Sequence, residues 1–157
     1  MDNENLLLFG GTFNPIHFGH LITSRHVLET CGEKIRCNKI TLLPNGYAPH
    51  KENLTDASHR LEMCRFAIED DENFEVCDYE AKKSEPSYTF DTVSSLKSQL
   101  NTDDKIYMVI GLDTFNELPT WHRIDELVQI CNFIVMYDSC SKSIFQEFPM
   151  TPPYLNI

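Results

Sequence analysis

An apolar run that halts at two glycines and resumes as a helix limits most strongly what this chain can fold into. Leu6-Leu7-Leu8-Phe9 is short, apolar and closed by Gly10-Gly11, the pattern of a strand buried on both faces that empties into a tight loop. From His20 onward Leu21, Leu28 and Cys31 recur at helical spacing, and Gly32 reads as the stop of that helix. Between strand and helix lies Gly10-Gly11-Thr12-Phe13-Asn14-Pro15-Ile16-His17-Phe18-Gly19-His20. Glycines there let backbone approach a ligand closely, and the free N–H groups opening the helix form an anion site reinforced by its dipole. His17 and His20, three residues apart, fall on one side of the first turn. They can donate hydrogen bonds to phosphate oxygens, and a nearby triphosphate should raise their pKa. Taken alone, such a pair equally suits a helix cap or plain packing. The stretch contains neither GxxxxGK[ST] nor GxGxxG. It also lacks the Glu of HExxH or a Cys at ligand spacing, so no protein-held metal is expected.

The rest of the chain repeats the alternation. Lys39–Leu43 reads as a second strand halted by Pro44, and Asp56 as the N-cap of a helix with Leu61, Cys64 and Ile68 on its apolar face. The charged run from Glu69 to Glu72 reads as a solvated helix end. Phe74–Cys77 suggests a third strand, followed beyond Pro86 by a helix bearing Val93, Leu96 and Leu100. Ile106–Ile110 reads as strand four, running into Gly111, two short helices around Pro119, and strand five at Phe133–Met136. After Tyr137 the periodicity is lost. Strands alternating with helices predict an α/β fold, a parallel sheet with helices on both faces and ligand loops at the carboxyl ends of the strands.

A chain of 157 residues suits a single domain over residues 1–157. No apolar run approaches the roughly 20 residues of a membrane span. The acidic opening Met-Asp-Asn-Glu-Asn fits neither a signal nor a transit peptide, which predicts a cytoplasmic protein that does not engage membranes. Six cysteines without a CxxC pair read as reduced thiols, several of them core packers. A formal net charge of −11 argues against nucleic-acid binding, which relies on clustered Lys and Arg. Any phosphate must therefore be held locally, by a few side chains and backbone amides.

The run Gly10–His20 resembles the signature of the HxGH nucleotidyltransferase superfamily, and its Pro15-Ile16-His17 variant is similar to that of nicotinate mononucleotide adenylyltransferases. Three further segments agree in order. Leu43 to Lys51, LPNGYAPHK, resembles that family's loop after strand two. Ser87 to Thr92, SYTFDT, resembles its SYTxDT helix start. Gly111-Leu112-Asp113 and Leu118-Pro119-Thr120-Trp121 resemble its GxD and LPTW segments.

The resemblance implies a Rossmann-like fold and a reaction in which ATP and nicotinate mononucleotide give deamido-NAD and pyrophosphate, with Mg2+ carried on the ATP phosphates. It implies catalytic His17 and His20, and an ATP and phosphate site with Gly10, Gly11, Thr12, Phe13, His50, Lys51, Gly111 and Asp113. Tyr88, Thr89 and Trp121 would hold the pyridine nucleotide, a helix start at Thr89 suiting a carboxylate and an indole suiting ring stacking. Trp121 also suits a core aromatic, Asp113 a helix N-cap, and Arg123 an ion pair with Asp125 or Glu126. Family members continue into an ISSTxxR segment and a final helix over ATP, so the ending Leu155-Asn156-Ile157 reads as truncated, with weak ATP binding and slow turnover expected. Loss of that helix would expose apolar surface and favour a homo-oligomer. Two alternatives stay open. One is an adenylyltransferase for nicotinamide mononucleotide or phosphopantetheine, the other a noncatalytic nucleotide-binding protein.

Overall fold

A computed structural model describes residues 5–47, 53–137 and 144–148. The chain divides into two compact units, one of Leu7–Ser87 and one of Tyr88 onward with the residues up to Leu6.

The first unit is built on β1 (Leu6–Gly11), α1 (Phe18–Ile35), β2 (Ile40–Pro44), α2 (Ala57–Ala67) and β3 (Phe74–Val76). Its strands are parallel, with Leu8 opposite Thr41 and Leu42 opposite Val76. Leu7, Leu8, Ile40 and Leu42 are wholly buried, as continuous apolar strands covered by helices must be. Each such leucine contributes roughly 1.5–3 kcal/mol relative to an exposed one. Helices α1 and α2 pack on β2, and α2 also on β3. The expected N-cap of α2 is present, since Asp56 Oδ1 accepts from Ser58 N–H at 3.0 Å.

The glycine pair closes β1 as expected, and Gly11 still pairs with Pro44. One boundary differs from the sequence reading. Gly32 does not stop α1; it is buried inside the helix, three residues before its end. A Cβ at Gly32 would stand 2.7 Å from the Cys37 carbonyl oxygen, and Cys37 N–H donates to the Gly32 carbonyl at 2.8 Å. The glycine therefore makes room for the returning chain. The left-handed residue that ends the helix is Arg36, at φ 56°.

The second unit contains α3 (Thr89–Ser98), β4 (Ile106–Gly111), α4 (Leu112–Glu117), a single 3-10 turn (Leu118–Thr120), α5 (Ile124–Ile130), β5 (Asn132–Tyr137) and β6 (Ile144–Phe148). Strands β4 and β5 are parallel, and Ile106, Leu127, Phe133 and Val135 are completely buried. Helix α3 packs against α5. β6 was not foreseen: it pairs antiparallel with β5, Val135 opposite Gln146. Its sequence, Ile-Phe-Gln-Glu-Phe, lacks the continuous apolar character of the parallel strands. Among the described residues, no helix is long and apolar enough to cross a membrane.

Candidate functional site

The turn after β1 takes its shape from Phe13 rather than from the glycines. Phe13 adopts φ 48°, a left-handed conformation that costs a bulky residue roughly 1–2 kcal/mol, whereas no glycine in the chain has positive φ among the described residues. Burial holds it there. The Phe13 ring is 2% exposed, lies 5.9 Å from the Phe9 ring and meets His20 edge-on at 5.0 Å. A Cβ on Gly11 would stand 3.1 Å from that ring, so Gly11 leaves the space into which Phe13 folds. Gly10 has only an ordinary 3.9 Å approach to the Leu43 carbonyl and remains exposed at the strand end.

His17 is the N-cap of α1, with extended backbone. Its Nδ1 accepts from Gly19 N–H at 3.1 Å, and His20 Nδ1 accepts from His17 N–H at the same distance. This is a capping box with imidazoles where Ser or Thr and Glu are usual. The rings stack with centroids 3.8 Å apart. A Cβ at Gly19 would lie 2.8 Å from the His17 ring, which explains a glycine inside the first turn. The capping alternative is thus realised, and it has a chemical consequence. Because Nδ1 of each ring accepts an N–H, the proton of each neutral imidazole sits on Nε2, leaving that N–H to donate. Burial, and after it the charge of His17, lowers the pKa of His20 below its ordinary value. Without ligand the direction is therefore opposite to the rise expected beside a triphosphate.

Both rings, with Thr12, Phe13, Asn14, Pro15 and Leu54, line a cavity of about 600 Å³. His17 is exposed and His20 half-buried. Behind the turn Asn45 N–H donates to the Gly11 carbonyl at 2.9 Å, and Asn45 Nδ2 to Thr12 Oγ1 at 3.2 Å. A residue the sequence reading passed over, Arg60, is completely buried there. Its Nη1 reaches the Thr12 carbonyl at 2.7 Å, the Asn45 carbonyl at 2.8 Å and Asn45 Oδ1 at 3.0 Å. Its Nη2 donates to Gly46 O at 2.9 Å and its Nε to Thr55 O at 2.8 Å. Burial lowers its pKa from the usual arginine value. The signal available in the sequence was its place one turn before Cys64, on the buried face of α2.

His50 and Lys51 lie outside the described residues. In the second unit Gly111 is the N-cap of α4, and Asp113 is an exposed residue of its first turn, not the cap. Tyr88 caps α3 through its backbone and Thr89 is its first residue, as expected of a helix start there. Tyr88 is 51% exposed and its ring lies tilted at 32° against that of His122, centroids 4.4 Å apart, a partner not anticipated. Trp121 is half-buried and meets Phe133 edge-on at 6.3 Å. Arg123 forms the ion pair rather than standing free: its Nε and Nη2 bind the Glu126 carboxylate at 2.7 and 2.5 Å, and its guanidinium lies 3.9 Å from the centre of the Phe90 ring. Among the described residues, no group of three or more His, Cys, Asp or Glu is arranged to hold a metal ion.

Residues 8–157 match the model of the cytidylyltransferase-like family. A probable nicotinate-nucleotide adenylyltransferase of Caldicellulosiruptor bescii is 41% identical over 130 residues, covering 82% of this chain and 63% of that protein. The nicotinate-nucleotide adenylyltransferase of Bacillus subtilis is 42% identical over 129 residues, covering 81% of this chain and 66% of its own length. The chain thus spans 57% to 66% of the length of the curated relatives it matches. Among solved structures, nicotinic acid mononucleotide adenylyltransferase of Plasmodium falciparum, complexed with NaAD, superposes with a TM-score of 0.70 at 23% identity, covering 88% of this chain and 67% of that one. The fold they share is Rossmann-like, and the chain belongs to the cytidylyltransferase-like family.

Proposed function

We propose that the chain binds ATP phosphates at the turn between β1 and α1 and serves the transfer of an adenylyl group to nicotinate mononucleotide, yielding deamido-NAD and pyrophosphate in NAD biosynthesis. The observation that carries this reading is the imidazole capping box beside the cavity: both Nδ1 atoms are engaged by backbone N–H groups, so both rings keep an Nε2–H for an anion. Likeness to proteins named nicotinate-nucleotide adenylyltransferases supports the choice of acceptor.

The chemistry requires no protein nucleophile. A 5′-phosphate oxygen of the mononucleotide attacks the α-phosphorus of ATP in line, and the bond from that phosphorus to the bridging oxygen breaks. Pyrophosphate leaves with the electron pair. Alignment and stabilisation of the developing charge are the catalyst's work. His17 and His20 would donate to phosphate oxygens on the leaving side, and Gly10, Gly11, Thr12 and Phe13 would line the nucleotide site. Mg2+ would arrive on the triphosphate as part of the substrate. Tyr88, Thr89 and Trp121 are the candidates for the pyridine nucleotide, and Gly111 and Asp113 for the adenosine portion of ATP.

The test is pyrophosphate release with nicotinate mononucleotide, its amide and phosphopantetheine side by side, together with calorimetric titration of ATP. Nicotinate mononucleotide is the expected acceptor. His20→Ala should lower turnover by about a hundredfold or more while the far-UV circular dichroism stays unchanged. Unchanged turnover in a folded His20→Ala chain rejects the role of His20.

A further inference from the structure

The turn that would receive phosphate contains a bulky residue at positive φ and is followed by one exposed and one half-buried imidazole, so something beneath it must hold its shape. Arg60 is that support. Its guanidinium is completely buried, and each acceptor the structure gives it is an uncharged oxygen: the carbonyls of Thr12, Asn45, Gly46 and Thr55 and the side-chain oxygen of Asn45. Three separate stretches of chain, after β1, after β2 and before α2, therefore converge on one side chain. Asn45 passes the tether on. With its Oδ1 turned to Arg60, its Nδ2 faces Thr12 Oγ1, so the backbone and the side chain of Thr12 are both fixed through Arg60.

We infer that Arg60 is the positioning residue of the phosphate loop, acting through the shape of its planar fork to fix Thr12 and the Phe13 turn, from beneath rather than by touching ligand. A lysine keeps the charge but has a single nitrogen, which cannot serve acceptors on three stretches of chain in a fixed plane. The inference rests on the proposed phosphate reading for its purpose, though not for its geometry.

The experiment compares Arg60→Lys and Arg60→Gln with the parent chain by native-state hydrogen exchange and by calorimetric titration of MgATP, at a temperature where each melts cooperatively well above the measurement. Both variants should lose protection at the Asn45 amide, which donates to Gly11, relative to the amides of Thr41–Leu43. Both should also bind MgATP about tenfold or more weakly, the loss of a charge-assisted hydrogen bond's worth of order. An Arg60→Lys chain with parental exchange at Asn45, or with parental MgATP affinity, overturns the inference, because charge alone would then suffice or the tether would not matter to the ligand. If the parent itself fails to bind MgATP, the phosphate reading fails, while exchange at Asn45 still decides whether Arg60 holds the loop. Should both Arg60 variants fail to fold, Asn45→Ala examines the same tether from its other end. Weaker MgATP binding by a folded Asn45→Ala chain supports the inference, and unchanged binding overturns it.

Discussion

Each imidazole of the first helical turn has two nitrogens, and the fold has already engaged one of them. The capping bonds to Nδ1 are each worth about 1 kcal/mol net, and they persist only while Nδ1 carries no proton. This gives the stability a sign. His20 has its pKa lowered in the folded chain from 6.5, so the unfolded chain binds more protons over that interval. The contribution is complete above pH 6.5 and is lost as pH falls through the folded pKa. Urea unfolding between pH 7.5 and 5 should therefore cost the parent more stability than His20→Gln, and equal losses would contradict the assignment. Gly19 is constrained by the same geometry. Alanine should suit a helix by about 1 kcal/mol, yet a Cβ at 2.8 Å from the His17 ring must displace it. Gly19→Ala is expected to leave stability within about 1 kcal/mol of the parent and to weaken MgATP binding, read by calorimetry. The histidines, the glycines and Thr12 were legible as residue types in a strand–loop–helix setting. That the strain resides at Phe13, and that Gly11 serves its ring, was not, because periodicity says nothing of how one ring fills the space beside another.

Among the elements, α1 shows where local signals mislead. A glycine near the end of an apolar repeat reads as a helix stop, but Gly32 is a contact position and Arg36 adopts the left-handed cap. The two positions should respond in opposite directions. Gly32→Ala forces its Cβ onto the Cys37 carbonyl and is expected to destabilise by about 1–2 kcal/mol, whereas Arg36→Gly removes a left-handed side chain and should stabilise by roughly 1 kcal/mol. Urea denaturation of both variants checks the pair. Helix α2 behaves in a related way: apolar periodicity marks Leu61, Cys64 and Ile68, and Arg60 falls outside that pattern because arginine is seldom buried. A guanidinium can be buried when carbonyls surround it, and that arrangement is tertiary. Strand β6 escaped for a different reason. Its pairing with β5 is antiparallel, and alternating or polar residues at a sheet margin carry little signal.

For the molecule as a whole, the alternation of strands and helices made the α/β class legible, since two-faced burial demands continuous apolar strands in parallel sheets. The formal net charge of −11 leaves phosphate recognition to local groups, and the described turn offers N–H donors rather than a field of cations. Among the described residues Cys37, Cys64 and Cys131 are core atoms. Burial pushes the Cys64 thiol up to about 11 and raises those of Cys131 and Cys77. Alkylation at neutral pH should accordingly be slow at Cys64 and Cys131 until the chain is unfolded, as mass spectrometry of peptides would show. The central claim, that the turn between β1 and α1 receives polyphosphate through two Nε2–H groups, is met most directly by nitrogen-15 NMR of the imidazoles during titration with MgATP. The account predicts both rings as Nε2–H tautomers before ligand and saturable shifts of His17 and His20 together as MgATP is added. Rings protonated on Nδ1, or imidazole signals that stay fixed while MgATP binds elsewhere, would contradict it.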